Sequence, residues 1–386
     1  MVEKPIRCIL LSEMLQPYRI PLFNLLAERD DLEFKVLPLS TKEANRQWEV
    51  DLEAVRFDYE VLPSKDFYIR PLDWGLHLNR GVIQALEQFK PDVICGTGYV
   101  SPAYITAQRY AREQGCGYVL WTGSTEKSSR IGKGPLRWLK RRFVGRSDSA
   151  LAYGSAAKKL LVNLGANPER IVAGYNTVDI DVAARITEEA SIESNYLSWR
   201  EKYPKRNILF IGQIIARKGL DSLIRAFARA AQPDLGLIIV GDGALRNSIE
   251  SQYENVPNLF WEGYVQSHDM GRYFAASDVL AMPSEIEVWG LVVNEAMAAG
   301  LPVIATTCSG AAEDLIVNGD NGYAYESGDE DRLADLLKSV ATERELWMEM
   351  GKNAQRFIQG FGLVFYADSF VQAVRIAHEA ARGKSS

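Results

Sequence analysis

Short apolar runs alternate with helical patterns from one end of this chain to the other. That alternation specifies a mostly parallel sheet with helices packed on its faces. Strand candidates of a first series fall at residues 6–11, 33–39, 58–62, 93–96, 118–122, 150–153 and 171–174. Helical patterns at 21–28, 78–89, 102–114 and 155–164 lie between them. After a charged, polar stretch at 183–206, a second series begins, with strands at 208–212, 236–240, 259–261, 279–282, 303–305 and 322–325. From Arg344 onward the pattern is helical throughout. A length of 386 residues exceeds one ordinary core and suits two domains of roughly 180 residues each. The expected fold class is therefore α/β, with two doubly wound Rossmann-like domains facing across a cleft. They are expected at 1–185 and 186–363, with a terminal helix at about 364–386 packing back onto the first.

Composition removes several function classes. Apolar content of 47% and charged content of 24% describe a soluble globular protein. No apolar run reaches the ~18 residues of a membrane span and no signal peptide is visible, so a cytoplasmic location is expected. Cys8, Cys95, Cys116 and Cys308 lack CxxC spacing and read as small apolar residues of a reducing compartment. His77, His268 and His378 lie too far apart for an HExxH site. A formal charge of −6 argues against nucleic acid as the main partner.

Ligands of open α/β sheets bind at the C-terminal ends of strands. The loops at 12–19, 96–101, 121–129, 212–219, 241–244, 263–267 and 284–290 are the ones that should carry the site. The stretch 283–303 is the most informative of these regions. It sets Glu287 and Glu295 with seven residues between them, around a loop that turns into a helix at Trp289-Gly290. A helix start offers free N–H groups and a positive dipole end, which suits a diphosphate. A carboxylate on each side of a diphosphate seat fits a nucleotide-sugar. Two solvated surface carboxylates are the bland alternative. A glycosidase pair needs carboxyls ~5–5.5 Å or ~6.5–9.5 Å apart. Eight helical residues rise ~12 Å, so the hydrolase fails on distance.

The segment 210–220 leaves a strand, turns, and enters a helix with Arg217 and Lys218 beside Gly219. Arginine offers a forked donor set and lysine a point charge, both suited to a leaving diphosphate. An exposed basic turn is the bland alternative for the segment taken alone. A second glycine turn, Gly241-Asp242-Gly243, follows the next strand and strengthens the phosphate reading.

At these residues the chain resembles a retaining glycosyltransferase of the GT-B fold, in the large family 4. The matching positions are Gly212 with Lys218-Gly219, Gly241-Asp242-Gly243, Leu259 to Gly263, Ser277-Asp278-Val279, Pro283-Ser284, the Glu287 to Glu295 spacing and Ala298 to Val303. They cover the whole second domain in the family's order. The first domain matches loosely, through Pro17 to Phe23 and Asn176 to Asp179. The resemblance implies a UDP- or GDP-sugar donor, an acceptor hydroxyl and no cofactor or metal. The acceptor it implies is a carbohydrate, a lipid-linked sugar or a small molecule, in polysaccharide, glycolipid or other glycoconjugate synthesis. It implies that Glu287 holds the donor sugar and Glu295 the ribose. Arg217 and Lys218 then neutralise the diphosphate, with the backbone of Trp289, Gly290, Leu291 and Val292 behind it. Gly212, Gln213 and Gly241 complete the phosphate side, and Tyr264 and Val265 seat the base. Tyr18, Arg19, Gly98 and Trp121 are assigned to the acceptor side.

The chain departs from the family in four places. Gln213 stands where the family has arginine, leaving Arg217 as the replacement. Glu-Val-Trp-Gly replaces Glu-Gly-Phe-Gly, and Asn-Thr-Val replaces Asn-Gly-Val. A first-domain histidine has no match, since Trp121-Thr122-Gly123-Ser124 occupies that loop. Other GT-B activities compete, such as a sugar-nucleotide epimerase, or a phosphorylase needing a pyridoxal lysine for which no context is found. A non-catalytic nucleotide-sugar-binding relative is the competitor from another class, and the presence of both glutamates speaks against it.

Three weaker signals complete the reading. Asp179-Ile180-Asp181 has the spacing of a metal-binding DxD but lies far from the phosphate loops. Gly96-Thr97-Gly98 lacks the third glycine of a dinucleotide fingerprint and reads as a tight turn. Between 127 and 146 stand Lys127, Arg130, Lys133, Arg137, Lys140, Arg141, Arg142 and Arg146 with no acidic residue among them. Pro135 starts a helix there, with Leu136, Leu139 and Phe143 as a narrow apolar stripe and Trp138 among the bases. A basic face with an exposed tryptophan suits an anionic membrane surface and a peripheral location. The alternatives are a solvated helix whose stripe meets the core, or a cradle for an anionic acceptor.

Overall fold

The apolar runs assemble into two separate parallel sheets, in a computed structural model that describes residues 4–41, 50–69, 74–99, 101–129 and 135–385. The chain divides into one unit comprising Met1–Tyr175 with Leu363–Ser386, and a second comprising Asn176–Gly362. In chain order the first unit holds β1 (Ile6–Ser12), β2 (Leu32–Pro38), β3 (Asp58–Tyr59), β4 (Ser64–Ile69), β5 (Trp74–Asn79), β6 (Val93–Gly96), β7 (Gly117–Thr122), β8 (Ser149–Ala152) and β9 (Ile171–Ala173). The second holds β10 (Arg206–Ile211), β11 (Leu235–Val240), β12 (Leu259–Gly263), β13 (Val279–Met282), β14 (Val303–Thr306) and β15 (Gly322–Tyr325).

Among the described residues the first sheet runs β3-β2-β1-β6-β7-β8-β9 and the second β12-β11-β10-β13-β14-β15. Both orders start from a central strand, build outward to one edge, then return and build to the other. The strand order reverses between β1 and β6 in the first unit, and between β10 and β13 in the second. Loops leaving the C-terminal ends of such a pair diverge to opposite faces and open a crevice. The central strands are buried along their length, which is why they read as unbroken Val, Ile and Leu runs rather than alternating ones.

Three expectations need correction. Residues 78–79 belong to a strand, not a helix: β5 pairs antiparallel with β4, and the helix begins at Val82. The alternation of Leu76, His77, Leu78 and Asn79 is the strand signal that the following helical pattern obscured. The supposed polar join is folded, since Ile180–Ser191 and Tyr196–Arg200 are helices. The unit boundary lies at Tyr175/Asn176 rather than at 185/186. The reason is packing: Ile180–Ser191 lies so close to Gly271 that a Cβ there would meet the Ile186 carbonyl at 2.0 Å.

The terminal helix Leu363–Ser385 belongs to the first unit. It packs against β7, β8 and β9, burying Tyr366, Phe370, Val374 and Ala377 beside Trp121 and Phe34. Gly117 permits that approach, as a Cβ there would stand 2.6 Å from the Ala377 carbonyl. Contrary to the expectation from apolar runs, one helical stretch among the described residues, Arg344–Lys384, is long and apolar enough by composition to cross a membrane. Its apolar residues from Tyr366 to Ala377 are core residues in this fold.

Candidate functional site

The crevice of the second unit is built by four loops at the C-terminal ends of β10, β11, β12 and β13. Backbone hydrogen bonds stitch three of them together: Gly212 N–H donates to the Val240 carbonyl at 3.0 Å, and Gly241 N–H to the Gly263 carbonyl at 2.7 Å. Gly241 has φ +142, and a Cβ there would fall 1.9 Å from the Gly212 carbonyl oxygen. No side chain fits between these strands, so the glycine turn is required by the close approach of two backbones.

The chain then makes a short 3₁₀ turn, Ala216–Lys218, that ends on Gly219 at φ +68. A Cβ at Gly219 would meet the Pro283 carbonyl at 2.2 Å, so this turn is pressed against the loop after β13. The contact is reciprocated, since Glu285 N–H donates to the Arg217 carbonyl at 2.9 Å. Through it, Lys218 Nζ reaches the Glu287 carboxylate and forms an ion pair whose side chains are only 18% and 12% exposed. Arg217 has no side-chain ion pair or hydrogen bond among the described residues and is half-buried beside it.

The loop from Pro283 to Gly290 is held from below. Thr306 Oγ1 donates to the Ser284 carbonyl, and Ser309 Oγ to the Trp289 carbonyl. Glu287 itself forms a bridge with Ser309. Trp289 is buried, and its indole N–H is spent on Asn294 Oδ1 at 3.0 Å. Its indole N–H is therefore already engaged within the chain. Asn294 in turn donates to the Asn176 carbonyl at 3.2 Å and contacts Thr177 Oγ1 at 3.4 Å, fixing the helix to the segment that opens the unit. In the sequence Asn294 shows only as a polar residue inside an apolar helix, and Ser309 carries no signal at all.

The helix Leu291–Ala298 starts on Gly290 at φ +99, and no side chain caps it. Its first amides thus point out of the helix end without an internal acceptor, which is the arrangement that binds anions. One turn in, the Glu295 carboxyl has no hydrogen-bond or ion-pair partner among the described residues. Burial pushes its carboxyl up to about 7 from the ordinary 4.5. A buried carboxyl without a partner and with a raised pKa is a candidate functional group. Gln213 lines the same turn with no side-chain hydrogen bond among the described residues. Tyr264 is exposed, with its hydroxyl 3.4 Å from Gln266 Oε1, and Val265 follows on the same loop. Asp179, the first acid of the DxD spacing, caps its helix by accepting from the Val182 amide at 3.3 Å.

In the first unit the loops after β1 and β6 flank the reversal of strand order. Tyr18 and Gly98 are partly exposed there. Arg19 and Trp121 are not on the surface, a correction to their assignment. Arg19 is 3% exposed, its guanidinium 4.5 Å from the centre of the Trp121 ring and within 5.4 Å of those of Tyr18, Tyr153 and Tyr366. Trp121 is buried and donates to the Tyr366 hydroxyl at 2.8 Å. The terminal helix supplies that hydroxyl, a partner the local sequence around Trp121 cannot disclose. Near the end of β2, His77 Nδ1 lies 2.8 Å from Asp66 Oδ1, and Ser40 Oγ donates to Asp66 Oδ2 at 2.7 Å. The pairing of this buried histidine with Asp66, across the β4–β5 hairpin, carries no signal in the sequence.

Residues 196–357 match the family model described as glycosyl transferases group 1. That match falls within the second unit, Asn176–Gly362. Two relatives align beyond it. A sulfoquinovosyl transferase of Arabidopsis thaliana is 26% identical over 309 residues, 76% of this chain and 59% of its own length. A GDP-mannose-dependent monoacylated alpha-(1-6)-phosphatidylinositol monomannoside mannosyltransferase of Corynebacterium glutamicum is 38% identical over 210 residues, 51% of this chain and 54% of its own. The chain thus spans somewhat over half the length of these curated relatives. Among solved structures, Anabaena HepE in complex with UDP superposes with a TM-score of 0.76 at 18% identity, covering 96% of this chain and 100% of that one. Sucrose-phosphate synthase of Thermosynechococcus elongatus gives 0.73 at 15% identity, covering 96% and 98%. The fold is GT-B, and the crevice described above lies within the residues that match the glycosyl transferases group 1 model.

Proposed function

We propose that this chain is a retaining, metal-independent glycosyltransferase of family 4, moving a sugar from a nucleoside-diphosphate sugar to an acceptor hydroxyl. One observation carries the proposal: the turn of Arg217 and Lys218 is bonded to the loop of Glu287, with Lys218 paired to Glu287, just before the uncapped start of the helix that bears Glu295. Cations and helix amides suit a departing diphosphate, and two carboxylates suit hydroxyls on either side of it. In this assignment Arg217 and Lys218 bind the diphosphate with the amides of Gly290, Leu291 and Val292. Glu287 accepts from hydroxyls of the donor sugar and Glu295 from the ribose. Gly212, Gln213 and Gly241 border the phosphates, and Tyr264 and Val265 border the base. Lys218 must share or leave Glu287 when the diphosphate arrives.

The chemistry balances without a protein nucleophile. The bond from the sugar carbon to the phosphate oxygen breaks, and the acceptor oxygen bonds that carbon on the same face. The acceptor proton passes to the departing phosphate oxygen. Positive charge for the leaving group comes from Arg217, Lys218 and the helix end, worth several kcal/mol when preorganised. No cofactor is required.

The donor is a UDP- or GDP-sugar, a range supported by the UDP complex of the Anabaena structure and the GDP-mannose dependence in the mannosyltransferase's name. The acceptor is a carbohydrate or lipid-linked hydroxyl met at the first unit near Tyr18 and Gly98. The work is done in the cytoplasm, at the inner face of a membrane, in polysaccharide or glycolipid synthesis. The phosphatidylinositol acceptor in the same relative's name supports that location. Thermal shift against a panel of nucleotide-sugars tests the donor assignment. One UDP- or GDP-sugar should raise the unfolding temperature in wild type and fail to do so in Arg217→Ala. A panel without any stabilising member counts against it.

A further inference from the structure

The helix Pro135–Val144 is turned in a way its sequence does not suggest. Its buried side chains are Lys140, Phe143 and Val144. Leu136, Trp138 and Leu139 face solvent at 59%, 59% and 53% exposure. The expected stripe of Leu136, Leu139 and Phe143 therefore reaches the core only through Phe143. Arg130 and Lys133 lie outside the described residues. Lys140 leaves the basic face altogether: its ammonium donates to Ser129 Oγ at 2.9 Å and sits 4.4 Å from the Tyr99 ring centre.

The remaining cations gather on the exposed side. Arg141, Arg142 and Arg146 are exposed and have no carboxylate within ion-pair distance among the described residues. Arg137 has only Glu126, at 3.8 Å. Desolvation and then the like charges of Arg142 and Arg112 bring the Arg146 guanidinium below its usual value. Arg142 lies 5.5 Å from the Trp138 ring centre. Arg137, Trp138, Arg141, Arg142, Gly145 and Gly165 border an open groove of about 730 Å³. Three large apolar side chains at over half exposure do not belong on a merely solvated basic face. A protein partner would have to match a surface with one sign of charge and an apolar tip. A bilayer with acidic lipids supplies both: phosphates for the arginine forks, and an interface in which tryptophan and leucine settle.

We infer that this helix docks the chain on an anionic phospholipid surface, with Arg137, Arg141, Arg142 and Arg146 on headgroup phosphates and Trp138, Leu136 and Leu139 in the interface. The inference rests on the reading that the acceptor lies at a membrane, and it names the surface that brings the chain there. Co-sedimentation with vesicles tests it on the full chain. Binding should appear with phosphatidylglycerol-containing vesicles, be absent with pure phosphatidylcholine, and weaken as salt rises. The triple change Arg137→Ser, Arg141→Ser, Arg142→Ser should lower partitioning about a hundredfold, near fivefold per cation. Trp138→Ser should lower the binding that persists at high salt. Both variants should keep the wild-type unfolding temperature, because the altered side chains are not in the core.

Equal sedimentation with neutral and acidic vesicles, or none with either, overturns the docking surface. So does competition by millimolar inorganic phosphate at constant ionic strength, which marks a free-anion site, or self-association through Trp138 in light scattering. Transfer to a water-soluble acceptor without vesicles separates the two ideas. If transfer persists while vesicle binding fails, the docking surface falls and the transferase remains.

Discussion

Lys218 and Glu287 form a largely buried ion pair between the turn after β10 and the loop after β13, across the reversal of strand order in the second unit. In the proposed assignment, a cation for phosphate and a carboxylate for sugar hydroxyls thus neutralise each other. The pair solves the problem of keeping two charges at low exposure without a ligand, since an isolated charge there would be costly. It also sets a cost on donor binding, because the lysine must turn toward the diphosphate.

The pair predicts opposite effects on turnover and product binding. Glu287→Gln removes the competing carboxylate, so UDP or GDP, whichever the donor carries, should bind at least as tightly as to wild type. Turnover should fall more than tenfold, as a charge-assisted hydrogen bond to the sugar is worth about 1.5–3 kcal/mol. Calorimetry of the nucleoside diphosphate beside steady-state rates reads both. Weakened nucleotide binding with unchanged turnover would reverse the assignment of Glu287.

Glu295 gives a pH signature of its own. Burial raises its carboxyl to about 7, so the folded state holds a proton that the unfolded chain releases near 4.5. Both states are protonated below 4.5 and both ionised above 7, so stability falls as pH rises between those limits. Unfolding temperature measured across pH 4.5–7 should decline less steeply in Glu295→Gln than in wild type. Donor affinity should move the other way, rising toward pH 7 as the carboxylate becomes available to accept from ribose. Matching pH profiles for the two proteins would remove Glu295 from both roles.

Two glycines separate close approach from backbone strain. Gly241 has both a positive φ and a carbonyl in the way, whereas Gly300 has φ +81 with nothing within 4 Å of where a Cβ would stand. Gly300→Ala should cost about 1 kcal/mol, the strain of a left-handed alanine. Gly241→Ala should cost clearly more and also weaken the donor, because the Gly212 turn must move. Equal losses in denaturant unfolding would mean that the stitched loops are not rigid.

Chelation is a direct test of the charge chemistry. With Arg217, Lys218 and a helix end facing the diphosphate, transfer should continue in excess EDTA. Loss of activity with rescue by Mn²⁺ or Mg²⁺ would return Asp179 and Asp181 to the site.

Much of this was legible because the sheets are parallel and buried. Strands such as Val93–Gly96 and Val279–Met282 stand out as apolar runs with no competing period. The crevice was legible for a different reason: close backbone approach demands glycine at Gly219 and Gly241, a left-handed φ favours it at Gly290, and those residues carry their own signal. What was not legible depends on contacts distant in sequence. The burial of Trp121 under Tyr366 joins residues 245 apart, and Arg19 is enclosed by rings from four different segments. The helix Pro135–Val144 misled the periodic reading because the side it buries includes Lys140, whose stem packs while its ammonium finds Ser129.

The most direct test follows a single turnover with the stabilising nucleotide-sugar and a candidate acceptor, with product mass and anomeric configuration read by mass spectrometry and NMR. Transfer of one sugar with the donor's configuration kept, falling more than tenfold in Arg217→Ala and in Lys218→Ala, is the predicted result. An inverted product, or wild-type rates in both variants, would contradict the assignment of this crevice to a retaining transfer from a nucleoside-diphosphate sugar.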